Sequence, residues 1–235
     1  MASKSIDVCL TPDLMHLYSV AGRTVVVVDI LRATSCMTTA LAHGVKSITP
    51  FAHLEDCLAM KGADFYTAGE RDGQKVEGFD LGNSPFEYMD DQLRGKKIAF
   101  TTTNGTQAIA RSAGADEIII GSFLNLSAVA AHLTQAQNNI LILCAGWKGK
   151  INLEDTLYAG ALVERLLGQF EPECDSPLAA LYLYQRAKND MNGFMKNSSH
   201  VRRLARLNVV KDVEFCLTAD QYNVVPILSN GTITI

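Results

Sequence analysis

The segment 24–43, TVVVVDILRATSCMTTALAH, constrains the fold more than any other part of the chain. Four consecutive valines leave no polar side for solvent, so the run reads as a strand buried on both faces of a parallel sheet, with Asp29 at its C-terminal end. The polar stretch Leu31-Arg32-Ala33-Thr34-Ser35 leads into Cys36, Met37, Ala40 and Leu41 at helical spacing, with Thr34 or Ser35 as the cap. Strand, carboxylate, arginine, hydroxyls and helix N-terminus make the kind of strand end at which open α/β sheets bind ligands, because free backbone N–H groups there face an anion. The competing reading is an Asp29–Arg32 ion pair on an ordinary strand-to-helix turn, and this segment alone leaves both open.

Strand and helix patterns keep alternating along the chain. Strands are expected at Ile6–Leu10, Val45–Phe51, Phe65–Glu70, Lys97–Phe100, Asp116–Gly121 and Asn139–Leu143. Helical patterns cover Leu54–Lys61, Gln107–Ser112, Ser127–Gln137, a stretch ending near Leu167, Leu178–Lys188 and His200–Leu207. Gln169–Pro177 reads as a linker-like break, and residues 189–199, NDMNGFMKNSS, as a surface loop. The ending YNVVPILSNGTITI alternates about Asn230-Gly231, a hairpin signal, and is expected at an antiparallel edge of the sheet. The fold class is therefore α/β, three-layer, a mostly parallel sheet flanked by helices with a C-terminal antiparallel hairpin. A chain of 235 residues, 48% hydrophobic, buries a full core either as one domain over 1–235 or as two similar halves at about 1–90 and 91–235. A faint repeat at an offset of 72 residues, placing Thr34, Ile48 and Phe51 on Thr106, Ile120 and Phe123, keeps the second arrangement open.

Three further stretches carry polar residues to strand ends. Gly69–Pro85, GERDGQKVEGFDLGNSP, sets Glu70, Asp72, Glu77 and Asp80 beside Arg71 in a stretch too rich in glycine and charge to be regular. Thr101–Thr106, TTTNGT, opens a helix. CAGWKGKINLEDTLYAGA, from Cys144, holds Trp147, Lys148 and Lys150, then Glu154 and Asp155 in a first helical turn, where plain capping is the bland explanation. Hydroxyls, glycines and arginines suit phosphate, and clustered carboxylates suit Mg²⁺, so phosphoryl chemistry with magnesium is the natural conjunction.

Familiar phosphate signatures are missing. There is no P-loop; Leu31 stands where a second aspartate would follow Asp29 in haloacid dehalogenase phosphatases; Cys144 and Cys36 are followed six positions on by Lys150 and Ala42, not arginine; and Arg-His-Gly does not occur. The 21 basic and 25 acidic residues are well mixed, net charge −4, leaving no basic face for nucleic acid. No run approaches the ~18 apolar residues of a membrane span, and the N-terminus lacks a signal-peptide core. Six scattered cysteines without a C-x-x-C pair suit a reducing compartment, so a cytoplasmic location is expected.

The blocks VVVVDILRATS, GERDGQKVEGFDLGNSP, TTTNGT and CAGWKG followed by ED and AGA resemble the successive signatures of the 2-phosphosulfolactate phosphatase family, the magnesium-dependent phosphatases of coenzyme M biosynthesis. They fall in the family's order over about residues 24–161, and the ending DVEFC to VVP is also similar; residues 178–200 match nothing in that pattern. The resemblance implies Mg²⁺-dependent hydrolysis of the phosphate ester of 2-phospho-3-sulfolactate, a small anionic substrate that needs several donors. On that basis Asp29 either binds the metal or attacks phosphorus. Glu70, Asp80, Glu154 and Asp155 are the other metal candidates, one of them, with Glu154 preferred, serving instead as general acid. Arg32, Thr34, Ser35, Arg71 and Thr103, Asn104, Gly105 and Thr106 are expected to hold the substrate. Three other functions stay open: a phosphatase of another phosphorylated hydroxy acid, a cysteine hydrolase using Cys144, and a non-catalytic anion-binding module. The five histidines show no ligand spacing and none is assigned to zinc; Trp147 either covers the site or packs. A homo-oligomer paired through the hairpin edge also stays open.

Overall fold

A computed structural model describes residues 4–62 and 64–235. In chain order the elements are β1 (Lys4–Cys9), β2 (Arg23–Val28), α1 (Ala33–Ala42), β3 (Ser47–Pro50), α2 (Leu54–Ala59), β4 (Phe65–Arg71), β5 (Gln74–Lys75), β6 (Lys97–Thr101), α3 (Gly105–Arg111), β7 (Glu117–Gly121), α4 (Leu126–Gln135) and β8 (Asn139–Cys144). There follow α5 (Leu153–Leu166), β9 (Phe170–Pro172), α6 (Asp175–Ala187), α7 (Met191–Met195), α8 (Ser199–Ala205), α9 (Val210–Cys216), β10 (Ile227–Ser229) and β11 (Thr232–Thr234). All strands join one sheet in the order β5-β4-β6-β3-β11-β10-β7-β2-β8-β1-β9.

The valine run forms β2, hydrogen-bonded to β7 on one side and β8 on the other, both parallel. Its side chains divide between two cores. Val25 and Val27 join Leu141, Leu143, Ile118 and Ile120 around α1, whereas Val26 and Val28 join Ile119, Ile140 and Ile142 beneath α4, α5 and α6. Each buried valine stabilises the fold by roughly 1.5–3 kcal/mol. Helix α1, ATSCMTTALA, is inaccessible from Ala33 to Leu41. Its hydroxyls tolerate this because they bond back along the helix, Thr38 to the Thr34 carbonyl and Thr39 to the Ser35 carbonyl, both at 2.8 Å.

The hairpin β10–β11 lies in the middle of the sheet, not at an edge as its sequence suggests. β10 pairs antiparallel with β7 and β11 antiparallel with β3. Both outer sides are therefore taken, and neither hairpin strand is free to pair with a second chain. The hairpin's apolar residues explain the placement, since Ile233 is buried between two helix-covered parallel blocks. Its three antiparallel pairings reverse strand direction between the block β4-β6-β3 and the block β7-β2-β8-β1-β9. Residues at the C-terminal ends of β2, β8, β4 and β6 nevertheless meet around one cavity, although β2 and β6 stand five places apart in the sheet. Strands from residues 1–90 and 91–235 interleave, β6 lying between β3 and β4, and β2 between β7 and β8.

Three stretches read as irregular contain regular structure. Gly69–Pro85 opens with the β4–β5 hairpin, whose Asp72-Gly73 turn has φ of 52° and 86°, the left-handed pair an Asp-Gly turn supports. The break 169–177 holds edge strand β9 and the first turn of α6, where Pro177 has no intrahelical N–H to lose. The expected loop 189–199 contains α7, capped by Asp190 through the Gly193 N–H at 2.8 Å.

Candidate active site

The converging strand ends enclose a cavity of about 220 Å³ lined by Asp29, Glu70, Asp72 and Asn104, by Arg32, Asn83 and Trp147, and by His200, Arg203, Leu204, Arg206 and Leu207 from α8 and the turn after it. Asp29 enters from the end of β2. Its backbone N–H is bonded by the Thr34 hydroxyl at 3.1 Å, and that hydroxyl donates to the Asp29 carbonyl at 2.9 Å. Thr106 closes the β6–α3 turn on Thr102 in the same way, at 3.2 and 3.0 Å, so the faint repeat has a physical counterpart in two hydroxyl-locked turns. The Ser35 hydroxyl donates to the Ile30 carbonyl at 2.9 Å. Thr34, Ser35 and Thr106 are buried and shape the strand ends; none of them lines the cavity.

Burial pushes the Asp29 carboxyl up to about 7; His200 opposes this, the Glu70 and Glu154 carboxylates add to it, and the Ala33 N–H pulls the other way. Gly105 at the start of α3 makes room for it. A Cβ there would stand 2.7 Å from the Ala33 Cβ and 2.8 Å from Asp29 Oδ2. Glu70 accepts from the Gly73 N–H at 2.5 Å and from the Thr103 hydroxyl at 3.3 Å, which fixes it on the opposite block of the sheet. Asn104 lines the cavity and accepts from the Lys148 N–H at 3.3 Å.

Arg32 does not pair with Asp29. Its Nη1 meets Asp212 of α9 at 2.5 Å and its Nη2 donates to the Gly73 carbonyl at 2.9 Å, so a buried ion pair ties the β2–α1 turn to the C-terminal helices. Ser84 donates to the other Asp212 oxygen at 3.0 Å. Leu31–Arg32 is a cis peptide bond. Arg71 turns to the Glu70 carbonyl and the Thr101 hydroxyl, at 2.7 and 3.1 Å, and is absent from the cavity wall.

The acidic pair of α5 divides its work. Asp155 accepts from the Ile30 N–H at 2.9 Å and the Gly146 N–H at 3.0 Å, stapling the β2 and β8 loops together. Burial, with Glu154 and Asp29 nearby, raises its carboxyl well above the ordinary range. Glu154 is inaccessible; one oxygen holds His200 Nδ1 at 2.5 Å and the other has no protein partner. Asp80 is outside the cavity, bonded to Thr67 at 2.8 and 2.9 Å and paired with Lys61 at 3.0 Å. Thus Asp29, Arg32, Glu70 and Asn104 meet at the cavity, Glu154 acts on it through His200, and Thr103 and Gly105 support it. Arg71, Asp80 and Asp155 are engaged elsewhere.

Cys144 is inaccessible, and burial pushes its thiol well above the ordinary value, the reverse of what a nucleophilic thiolate needs. The residues that sequence reasoning missed are His200, Arg203 and Asp212. All three come from the C-terminal helices and reach the site only through tertiary contact; Asp212 alone carried a signal, as the first residue of DVEFC. Trp147 lines the cavity, with the His200 ring 5.7 Å away, the Arg203 guanidinium 4.5 Å from its ring centre and Lys148 Nζ at 5.1 Å.

A family model described as 2-phosphosulpholactate phosphatase matches residues 9–231. A protein of Caldanaerobacter subterraneus subsp. tengcongensis named probable 2-phosphosulfolactate phosphatase is 45% identical over 217 residues, 90% of each chain. Proteins with the same name from Thermotoga petrophila and Clostridium acetobutylicum are 44% identical over 230 residues, 96% of each chain, and 38% identical over 233 residues, 97% of this chain and 99% of that one. No helix among the described residues is long and apolar enough to cross a membrane.

Proposed function

The chain belongs to the 2-phosphosulpholactate phosphatase family, which makes it a phosphoric monoester hydrolase, and from that premise we propose that it cleaves the phosphate ester of 2-phospho-3-sulfolactate with Mg²⁺. The observation that carries the reading is one cavity holding a buried, proton-poised Asp29 together with Arg32, His200 and Arg203. A substrate with phosphate, sulfonate and carboxylate groups needs that density of cationic donors, which a neutral substrate would leave uncompensated.

Among the described residues no group of three or more His, Cys, Asp or Glu side chains forms a protein metal cage. Mg²⁺ does not require one, since it commonly takes one or two carboxylates and completes its shell with water and substrate oxygens. Asp29 and Glu70 on the cavity wall fit that donor set and would hold the ion. When bound, it would supply positive charge against the phosphoryl oxygens. Arg32, anchored by Asp212, steadies the same oxygens from the turn that carries Asp29. His200, fixed by Glu154 through Nδ1, has Nε2 left to hand a proton to the departing alkoxide.

Phosphate release from racemic 2-phospho-3-sulfolactate, measured with Mg²⁺ and with EDTA, tests the reading. Release that EDTA abolishes and Mg²⁺ restores is expected. Release from other phosphorylated hydroxy acids alone would keep the chemistry and discard the substrate. Tight anion binding with no hydrolysis under any metal would overturn the enzyme reading.

A further inference from the structure

The two arginines deepest in the cavity differ in how they are neutralised. Arg32 is buried against Asp212 on the same turn as Asp29 and the α1 N-terminus, so its charge belongs with the reacting phosphate. Arg203 comes from α8. Its Nη1 reaches the Ser199 hydroxyl at 3.4 Å, and its Nη2 is buried with no acceptor at all. The guanidinium lies 4.5 Å over Trp147 and shares its side of the cavity with Leu204 and Leu207. Nη2 is closed off from the cavity, with the Glu154 carboxylate the nearby opposite charge, so it is the remainder of the half-buried Arg203 side chain, beside Trp147, that lines the cavity wall and would meet an anion there.

We propose that Arg203, stacked on Trp147, is the specificity-determining residue that receives the substrate's second strong acid, the sulfonate, while Arg32 attends the phosphate. The inference rests on the hydrolase reading above. A sulfonate suits this position better than a carboxylate. It is a bulky, weakly hydrated anion that stays ionised throughout the working pH range, and it loses less than a carboxylate on entering a wall of tryptophan and leucine. Its oxygens also match the two-pronged fork of a guanidinium. Arg206 lines the same cavity but is exposed, so its charge is screened by solvent and discriminates little.

The test compares kcat and KM for 2-phospho-3-sulfolactate and for 2-phospholactate, which keeps the phosphate and carboxylate and lacks the sulfonate. The wild type is expected to favour the sulfonated ester. Arg203→Met should raise KM for that ester by about 100-fold while changing kcat/KM for 2-phospholactate by no more than about twofold, collapsing the preference. Arg203→Lys, which keeps the charge and is gentle on folding, should lose most of the preference because the planar fork is gone; Arg206→Gln should retain it. An equal loss on both esters, or an unchanged preference in Arg203→Lys and Arg203→Met, overturns the proposal and leaves the hydrolase reading intact. A wild type that cleaves neither ester overturns both.

Discussion

Replacing Asp29 by Asn is expected to abolish turnover and at the same time to stabilise the protein, increasingly so as the pH rises. Burial moves this carboxyl from 3.8 to about 7 in the folded chain. Between those values the unfolded chain has released a proton that the folded chain still holds, so raising the pH favours unfolding. The penalty is absent at pH values below the unfolded pKa, grows through the interval and levels off above the folded one. With 1.36 kcal/mol per unit, it amounts to roughly 1.7 kcal/mol near pH 5 and about 4 kcal/mol near pH 8.5. Asn has nearly the same shape, its Oδ1 can still accept from Ala33, and it does not titrate. The stability advantage of the variant should therefore widen by roughly 2–3 kcal/mol between those two pH values. Glu70 and Glu154 contribute to the same field, so the change with pH is more diagnostic than the absolute difference. Urea unfolding of both proteins in EDTA at the two pH values measures it, and adding Mg²⁺ at the higher pH should stabilise the wild type alone. A pH-independent gap, or a wild type that gains on the variant as pH rises, would refute the reasoning.

Asp155→Ala removes the acceptor for two buried N–H groups, of Ile30 and Gly146, and should destabilise the fold by about 2–5 kcal/mol in chemical denaturation, with Asp155→Asn recovering part of the loss. Gly105→Ala forces a Cβ against Asp29 and Ala33, so steady-state kinetics should show a drop in kcat of at least about tenfold, with a modest change in the thermal midpoint. Cys144→Ala should keep activity within about twofold of wild type, and mild thiol alkylation should leave the rate unchanged, since the thiol is buried and protonated.

Local sequence signals carried the strand ends and missed what reaches them from afar. Four valines before Asp29 located an interior strand, β2, because a solvent-free run has few other uses, and the glycine-rich stretches after it did mark the loops that converge. Thr34, Ser35 and Thr106 looked like ligand-binding hydroxyls for the reason they are good turn-closers: a short side-chain oxygen at a helix start can face a ligand or its own backbone, and only the fold decides. Asp80 and Arg71 lay within a rich acidic stretch, yet Arg71 at the end of β4 turns to Thr101, and Asp80, where the chain returns beside β4, is held by Thr67. His200 and Arg203 were illegible, and Asp212 was marked only by the stretch DVEFC, because their partners Glu154, Trp147 and Arg32 lie 46, 56 and 180 positions away, beyond the reach of any spacing rule.

The central hairpin also sets the order in which the molecule can become active. β11 meets β3 through Ile233 and Ile48, 185 positions apart and the most distant strand pairing of the sheet, and β10 meets β7 through Ile227 and Ile119, so the two parallel blocks join only when residues 227–234 are in place. The strands of each parallel block pair with one another without the hairpin, while so distant a contact as β11 with β3 forms slowly because loop closure must precede it. Asp29 stands on one block and Glu70 on the other. In refolding, secondary structure should therefore return before catalysis, and catalysis should return with the insertion of residues 227–234, which makes enzyme activity itself the reporter of the last step of folding.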